Sequence, residues 1–394
     1  MKVIEKTSRK FLFLSAICFS LLLTVTSPVI AAEYRYILIP TPPWYGVQDL
    51  GNLDINDNGE VVGIISLIIG LPETFGLDFT KGFLYRGGIF ITRLRPPGWP
   101  MAYPKHINNR GEVIGYGYKK ISDEYRGGTK GFLFNGWIYT ELLPPGWQMA
   151  IATDINDSGT VIGNGFDGIT RKVFIYSGGT YTELLPPGWQ WSEAVDINAS
   201  GTVIGNGYDS TGTAKGFIYS GGTYAELLPP GWTSSFVNAI NDSGEVIGNR
   251  SETGIDNQKG FLYREGTYTE LLPPGWLWSR AVDINDSGTV IGLGGIGINS
   301  KWFIYRSGIY TEQQLAGWYR LIPQHINNRG EVIGDGYDIA GSNKGFIFRE
   351  GTYTELLPPG WTVSFVHDIN DSGEVVGWGR NIFKQVQPFI AVPK

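Results

Sequence analysis

The string Leu-Leu-Pro-Pro-Gly-Trp ends at Trp147, Trp189, Trp232, Trp276 and Trp361, and looser copies end at Trp44, Trp99 and Trp318. Eight positions after seven of these Trp residues stands an Ile-Asn pair, from Ile107-Asn108 to Ile369-Asn370; the first copy, Trp44 to Ile55, is three residues longer. Successive Ile-Asn pairs are 42 to 52 residues apart. A frame kept this strictly makes the chain one array of like units rather than a string of unrelated domains.

Each unit has room for four strands. In the copy ending at Trp232, segments 192–198, 202–208, 215–219 and 224–229 read as strands, and 199–201 and 220–223 as tight turns. Asn-Asp-Ser-Gly, which recurs from Asn156, Asn241, Asn285 and Asn370, suits a turn with Gly at positive φ, and Ser-Gly-Gly-Thr suits a hairpin. The paired prolines cannot donate to a ladder, so they belong at or beyond an outer strand. Four strands in about 43 residues is the size of a propeller blade. The repeats therefore predict an all-β, eight-bladed β-propeller of four-stranded blades. Tyr34 to Pro40 has the character of a fourth strand with no blade before it, and Pro388 to Val392 that of a third strand with none after it. Pairing of the two is expected to complete the last blade, closing the ring and removing its open edges.

The frame Ile-Asn-x-x-Gly-x-Val-x-Gly, followed by a Phe-centred strand and a Gly hairpin, resembles the HAF-type extracellular repeats of bacteria over residues 33 to 394. Where that family has His-Ala-Phe, this chain has mostly Lys-Gly-Phe, keeping Phe83, Phe132, Phe174, Phe217, Phe261, Phe303, Phe346 and Phe389. The resemblance implies an exported propeller with a binding role and transfers no catalytic residue.

Lys2, Lys6, Arg9 and Lys10 precede an apolar run from Phe11 to Ile30 that ends at Ala31-Ala32. Residues 1–32 are thus expected to be a secretory signal and 33–394 the propeller; an uncleaved N-terminal anchor is the alternative. The only cysteine, Cys18, lies in the leader, so no disulfide can staple the ring. Loss of the leader would take the net charge from −6 to about −9. Such a balance argues against nucleic acid or anionic lipid as a partner. An exported monomer, periplasmic or extracellular and without a membrane span after cleavage, is expected.

The repeated Trp residues suggest two roles, a ligand-stacking ring or wedges between blades, and the fixed frame favours wedges. Asp54, Asp154, Asp196, Asp283 and Asp368 begin segments that imitate a calcium loop, but the twelfth position never carries an acid, so a turn is expected instead. His106, His325 and His367 stand where Asp usually does, and bonding to the turn explains both residue types better than a metal. No nucleophile–base set, phosphate loop or cofactor motif emerges, so no cofactor and no catalytic residue is assigned.

Specificity is expected where near-identical units disagree. Those positions follow each Trp and include Met101, Tyr103, Trp191, Glu193, Phe236, Trp278, Arg280, Arg320 and Phe365. The loops between second and third strands also vary, and are longest at Ile64–Thr80 and Tyr116–Thr129. A meander brings both features to one rim, so this rim is the expected contact surface for a glycan or an envelope protein. An enzyme with a site in the channel or rim loops, or a purely structural envelope protein, is the competing expectation.

Overall fold

The computed structural model describes residues 33–40, 46–68, 81–92, 94–118, 128–250, 258–297 and 299–394. The leader, Trp44 and most of the two long loops lie outside the described residues. Tyr34–Lys394 forms one compact unit of eight four-stranded antiparallel sheets. It is an eight-bladed β-propeller, numbered here by the order of the innermost strands. Blade 1 begins at Gly46–Ile55 and blade 8 at Trp361–Ile369. In seven blades the four strands follow one another in sequence; in blade 8 the order is Trp361–Ile369, Val375–Asn381, Val386–Pro393 and then Tyr34–Leu38. The closing pair runs in register from Tyr34 opposite Pro393 to Leu38 opposite Phe389. Among the described residues no helix is long and apolar enough to cross a membrane.

Blade 4 shows how the sequence builds a unit. Its strands are Trp189–Ile197, Val203–Asp209, Ala214–Ser220 and Thr223–Leu227. In the first turn Asn198 N–H donates to Thr202 O, and Gly201, at φ +83°, donates back to Asn198 O. Pro229 and Pro230 fall just past the fourth strand, where Trp232 N–H closes a turn on Pro229 O at 3.0 Å.

The core lies between blades. Val203 packs with Ile162, Val173 and Leu184 of blade 3, whereas Ile204 packs with Val237, Val246 and Phe261 of blade 5. Neighbouring strand residues point to opposite faces, so the recurrent Val-Ile pair serves both neighbours of a blade. Each such buried side chain stabilises the disc by about 1.5–3 kcal/mol. The repeated Trp residues are part of this core. Trp189 stands edge-on to Phe217, 5.8 Å between centroids, and its Nε1–H donates to Glu226 Oε1 at 3.0 Å. Trp99, Trp147, Trp189 and Trp276 are buried, and Trp232, Trp318 and Trp361 are half-buried. They act as wedges between blades and do not form a stacking ring.

Candidate functional site: the central channel and its two mouths

The innermost strands surround a channel. At one end, here the turn face, the Ile-Asn turns of blades 2 to 8 line a cavity of about 370 Å³. Each Asn spans a junction: Asn56 Nδ2 donates to Asn108 O, Asn108 to Asn156 O, Asn156 to Asn198 O and Asn198 to Asn241 O. The series continues through Asn285, Asn327 and Asn370 and returns to Asn56. The Oδ1 atoms meanwhile accept backbone N–H groups of their own turns, as Asn198 does from Thr202 at 2.9 Å. These buried amides are satisfied on both sides.

The residue before each Ile forms a second ring: Asp54, His106, Asp154, Asp196, Ala239, Asp283, His325 and Asp368. An Asp here accepts the Ile N–H of the next blade, as in Asp54 to Ile107 (2.7 Å), Asp196 to Ile240 (2.9 Å), Asp283 to Ile326 (2.9 Å) and Asp368 to Ile55 (3.0 Å). After a His or Ala, the next Ile N–H turns instead to its own Asp, as at Ile155, Ile284 and Ile369. The five Asp residues are therefore backbone acceptors, but each reaches the Ile N–H of the next blade rather than only its own turn.

The histidines differ from expectation, because two of them pair with a neighbouring blade rather than with a turn. His106 Nδ1 lies 3.6 Å from Asp54 Oδ1, and His325 Nδ1 lies 3.5 Å from Asp283 Oδ2. His367 stands one place earlier in its unit, and its Nε2 accepts Trp378 Nε1–H at 3.0 Å. Crowding by the channel wall lowers the pKa of His106, but the charge and hydrogen bond of Asp54 outweigh it and hold the imidazole at about 9. Asp283 does the same for His325, also to about 9. At neutral pH both are cations within an acidic ring, and so are poor general bases. Burial and the charge of Asp54 hold Asp368 well above the ordinary carboxylate range, whereas burial of Asp54 is outweighed by His106, which keeps it ionised. Among the described residues no group of three or more His, Cys, Asp or Glu side chains is arranged to hold a metal ion.

The opposite mouth, here the loop face, holds the turns that enter the first strands and the loops between second and third strands. Strand pairing brings the two together, as in Trp189 opposite Asp209. The residues expected to carry specificity divide here. Tyr103, Glu193, Phe236, Arg280 and Phe365 share one register position, four before Ile, on five innermost strands. Glu193 and Arg280 are exposed; Tyr103 stacks on Tyr116 (5.1 Å) and Phe365 on Trp378 (4.5 Å). Trp191 and Arg320 lie nearer the mouth; Trp191 is half-buried on Tyr208 (5.0 Å) and Arg320 is exposed. Trp278 is only 5% exposed and donates its Nε1–H to Gly297 O at 2.9 Å, so it packs the blade and offers no face to a ligand.

Sequence reasoning missed a second feature of this face. Leu277, Ile296, Tyr319, Ile339, Ile382 and Phe383 are exposed on blades 6, 7 and 8. An apolar residue inside a short polar turn, such as Asp338-Ile339-Ala340-Gly341, was the available signal.

No protein-family model matches the chain, and no curated protein matches it. Solved structures do. The chain is similar to dipeptidyl peptidase 4 of Porphyromonas gingivalis at 8% identity and a TM-score of 0.55, over 85% of this chain and 56% of that one. It is similar to a prolyl endopeptidase at 10% identity and 0.53, over 86% and 55%, and to the acylaminoacyl peptidase of Pyrococcus horikoshii at 10% and 0.51, over 86% and 50%. The chain spans about half the length of these structures, and at such identity the likeness shows the fold alone.

Proposed function

We propose that the disc is an exported binding module that takes a peptide segment, such as part of an envelope protein, into the loop-face mouth of its channel. The observation that carries this reading is the register position four before Ile. On three successive blades it lies between a serine and a small apolar residue (Ser192 and Ala194, Ser235 and Val237, Ser279 and Ala281), yet it places Glu193 on blade 4, Phe236 on blade 5 and Arg280 on blade 6. A carboxylate and a guanidinium flanking an aromatic ring suit a chain with an ammonium or basic group, an apolar side chain and a carboxylate. Burial of Trp278 leaves one fewer stacking surface for a sugar, which favours peptide over glycan. The resemblance to HAF-type repeats and the basic, apolar leader support an exported role.

The test is binding of a fluorescent peptide library to residues 33–394, a segment that contains every strand of the eight blades. Glu193→Gln and Arg280→Met should each weaken the best peptides by about tenfold. Retention only of oligosaccharides, or of peptides whose affinity ignores both substitutions, would overturn the reading.

A second reading, a peptide hydrolase, is favoured by the kind of protein in which similar rings occur: each of the three structures is a peptidase. Turnover of acylaminoacyl and dipeptidyl chromogenic substrates by the full chain would support it, and binding without turnover would favour the module.

A further inference from the structure

We propose that the loop face of blades 6, 7 and 8 docks on an anionic lipid surface. The tips of these loops are built to hold apolar side chains outward. Asp338 Oδ1 accepts Ala340 N–H and Ser342 N–H, both at 2.9 Å, and Ile339 N–H donates to Gly317 O at 3.1 Å. Asn381 Oδ1 likewise accepts Phe383 N–H (2.9 Å) and Gln385 N–H (3.1 Å). The backbone of each tip is thus tied down, while Ile339 is 84% exposed, Ile382 67%, Phe383 77% and Tyr319 65%. Isolated exposed apolar residues, such as Ile169 on the loop face of blade 3, need no explanation, but six gathered on the loop face of three adjacent blades do.

Charge selects the partner. Arg320, Arg380 and Lys384 are exposed beside these tips, and none makes an ion pair with a described residue. Unpaired cations around projecting Phe, Tyr and Ile suit the headgroup region of a bilayer, where rings and aliphatic chains enter the acyl boundary and cations meet phosphate. The tips stand on separate turns and project, which fits a deformable interface better than the shaped pocket of a protein. Net charge hides this arrangement, because the Asp ring and the acidic turns Asp57, Asp157, Asp242, Asp286 and Asp371 gather at the turn face. Contact through one sector would tilt the disc and leave the mouth beside blades 3 to 5 open.

The test is co-sedimentation of residues 33–394 with vesicles of phosphatidylcholine alone and with ~30% phosphatidylglycerol. Binding is expected only to the anionic vesicles, weakening by roughly tenfold when salt rises to ~0.5 M. Combined Ile339→Ser, Ile382→Ser and Phe383→Ser should reduce it by roughly tenfold with the melting temperature unchanged, as should combined Arg320→Glu, Arg380→Glu and Lys384→Glu. Trp137 and Ile138, exposed on a hairpin at the other end of blade 2, supply the control. No binding to anionic vesicles, unchanged binding of both triple variants, or loss only in Trp137→Ala with Ile138→Ser would overturn the proposal.

Discussion

Asn370 Nδ2 donates to Asn56 O at 3.0 Å although 314 residues separate them in the chain. This is the closing step of the eight-membered circuit, at the junction between blade 8 and blade 1. The same amide accepts Ser372 N–H and Glu374 N–H and donates to Glu374 Oε2. Asn370→Ala should cost about 1–3 kcal/mol, because it strands the buried groups that the amide served. Asn370→Asp should also destabilise, since a carboxylate cannot donate to Asn56 O. Thermal melting of both variants beside Asn198→Ala checks this. If the circuit is a set of equal links, Asn198→Ala lowers the midpoint by a similar amount; an unchanged midpoint in all three would refute the role given to the ring.

The two glycines of the Val-Ile-Gly-x-Gly run make room for two rings of the same blade. A Cβ on Gly205 would lie 2.5 Å from Phe217 Cε1, and one on Gly207 would lie 2.7 Å from Trp189 Cε3. Neither ring can retreat, because Ile162, Val173 and Leu184 of the preceding blade pack in the same cluster. Gly207→Ala is therefore expected to destabilise by about 1–3 kcal/mol or to prevent folding. A Gly222→Ala control in the hairpin meets nothing within 4 Å, so its cost is that of the positive φ alone. Urea midpoints of the two variants separate crowding from backbone conformation.

The architecture was legible because repetition states each constraint several times. The Pro-Pro-Gly-Trp turn, the Val-Ile alternation and the hairpin glycines all point to the same four-stranded unit, and the unmatched segments near Tyr34 and Pro388 correctly announced the closing pair. The site was less legible, because variability marks a position without saying which way its side chain points. Trp278 and Trp191 occupy equivalent positions, yet the indole of Trp278 turns inward to Gly297 O while that of Trp191 remains half-exposed on Tyr208. The partners of the histidines were hidden for a related reason: His106 and Asp54 are 52 residues apart and meet only when neighbouring blades align.

Those histidines carry a pH signature. Both His106 and His325 have folded-state values near 9, above the ordinary 6.5, so the folded ring binds protons more tightly than the unfolded chain. Their contribution is fully present below about 6.5 and fades as pH rises through about 9. With only three histidines in the chain, imidazole resonances can be assigned by substitution. NMR titration should give midpoints near 9 for His106 and His325, and Asp54→Asn should move His106 downward without moving His325. A midpoint near 6.5 for His106 in the unsubstituted protein would show that Asp54 does not hold it charged.

Asp335 tests the electrostatics of a junction most directly, because three other junctions show what its site prefers. Asn164, Asn206 and Asn249 each accept an N–H from the innermost strand of the next blade and donate to its carbonyl; Asn206 does so with Val237 N–H at 2.8 Å and Val237 O at 3.1 Å. Asp335 occupies the equivalent place on blade 7 and accepts Val366 N–H at 3.0 Å, with Gln324 Nε2 donating to its other oxygen at 2.9 Å. Burial raises its pKa to about 7, against the pull of those two hydrogen bonds. The folded protein therefore holds a proton that the unfolded chain releases near 3.8, and stability falls as pH climbs from about 4 to about 7. Asp335→Asn removes this cost and can pair in both directions, as Asn206 does. It should leave stability nearly unchanged at pH 4 and raise it at pH 8, by an amount on the order of 4 kcal/mol. Urea unfolding at the two pH values measures the difference; an equal effect at both would mean that ionisation of Asp335 does not weaken the blade 7–8 junction.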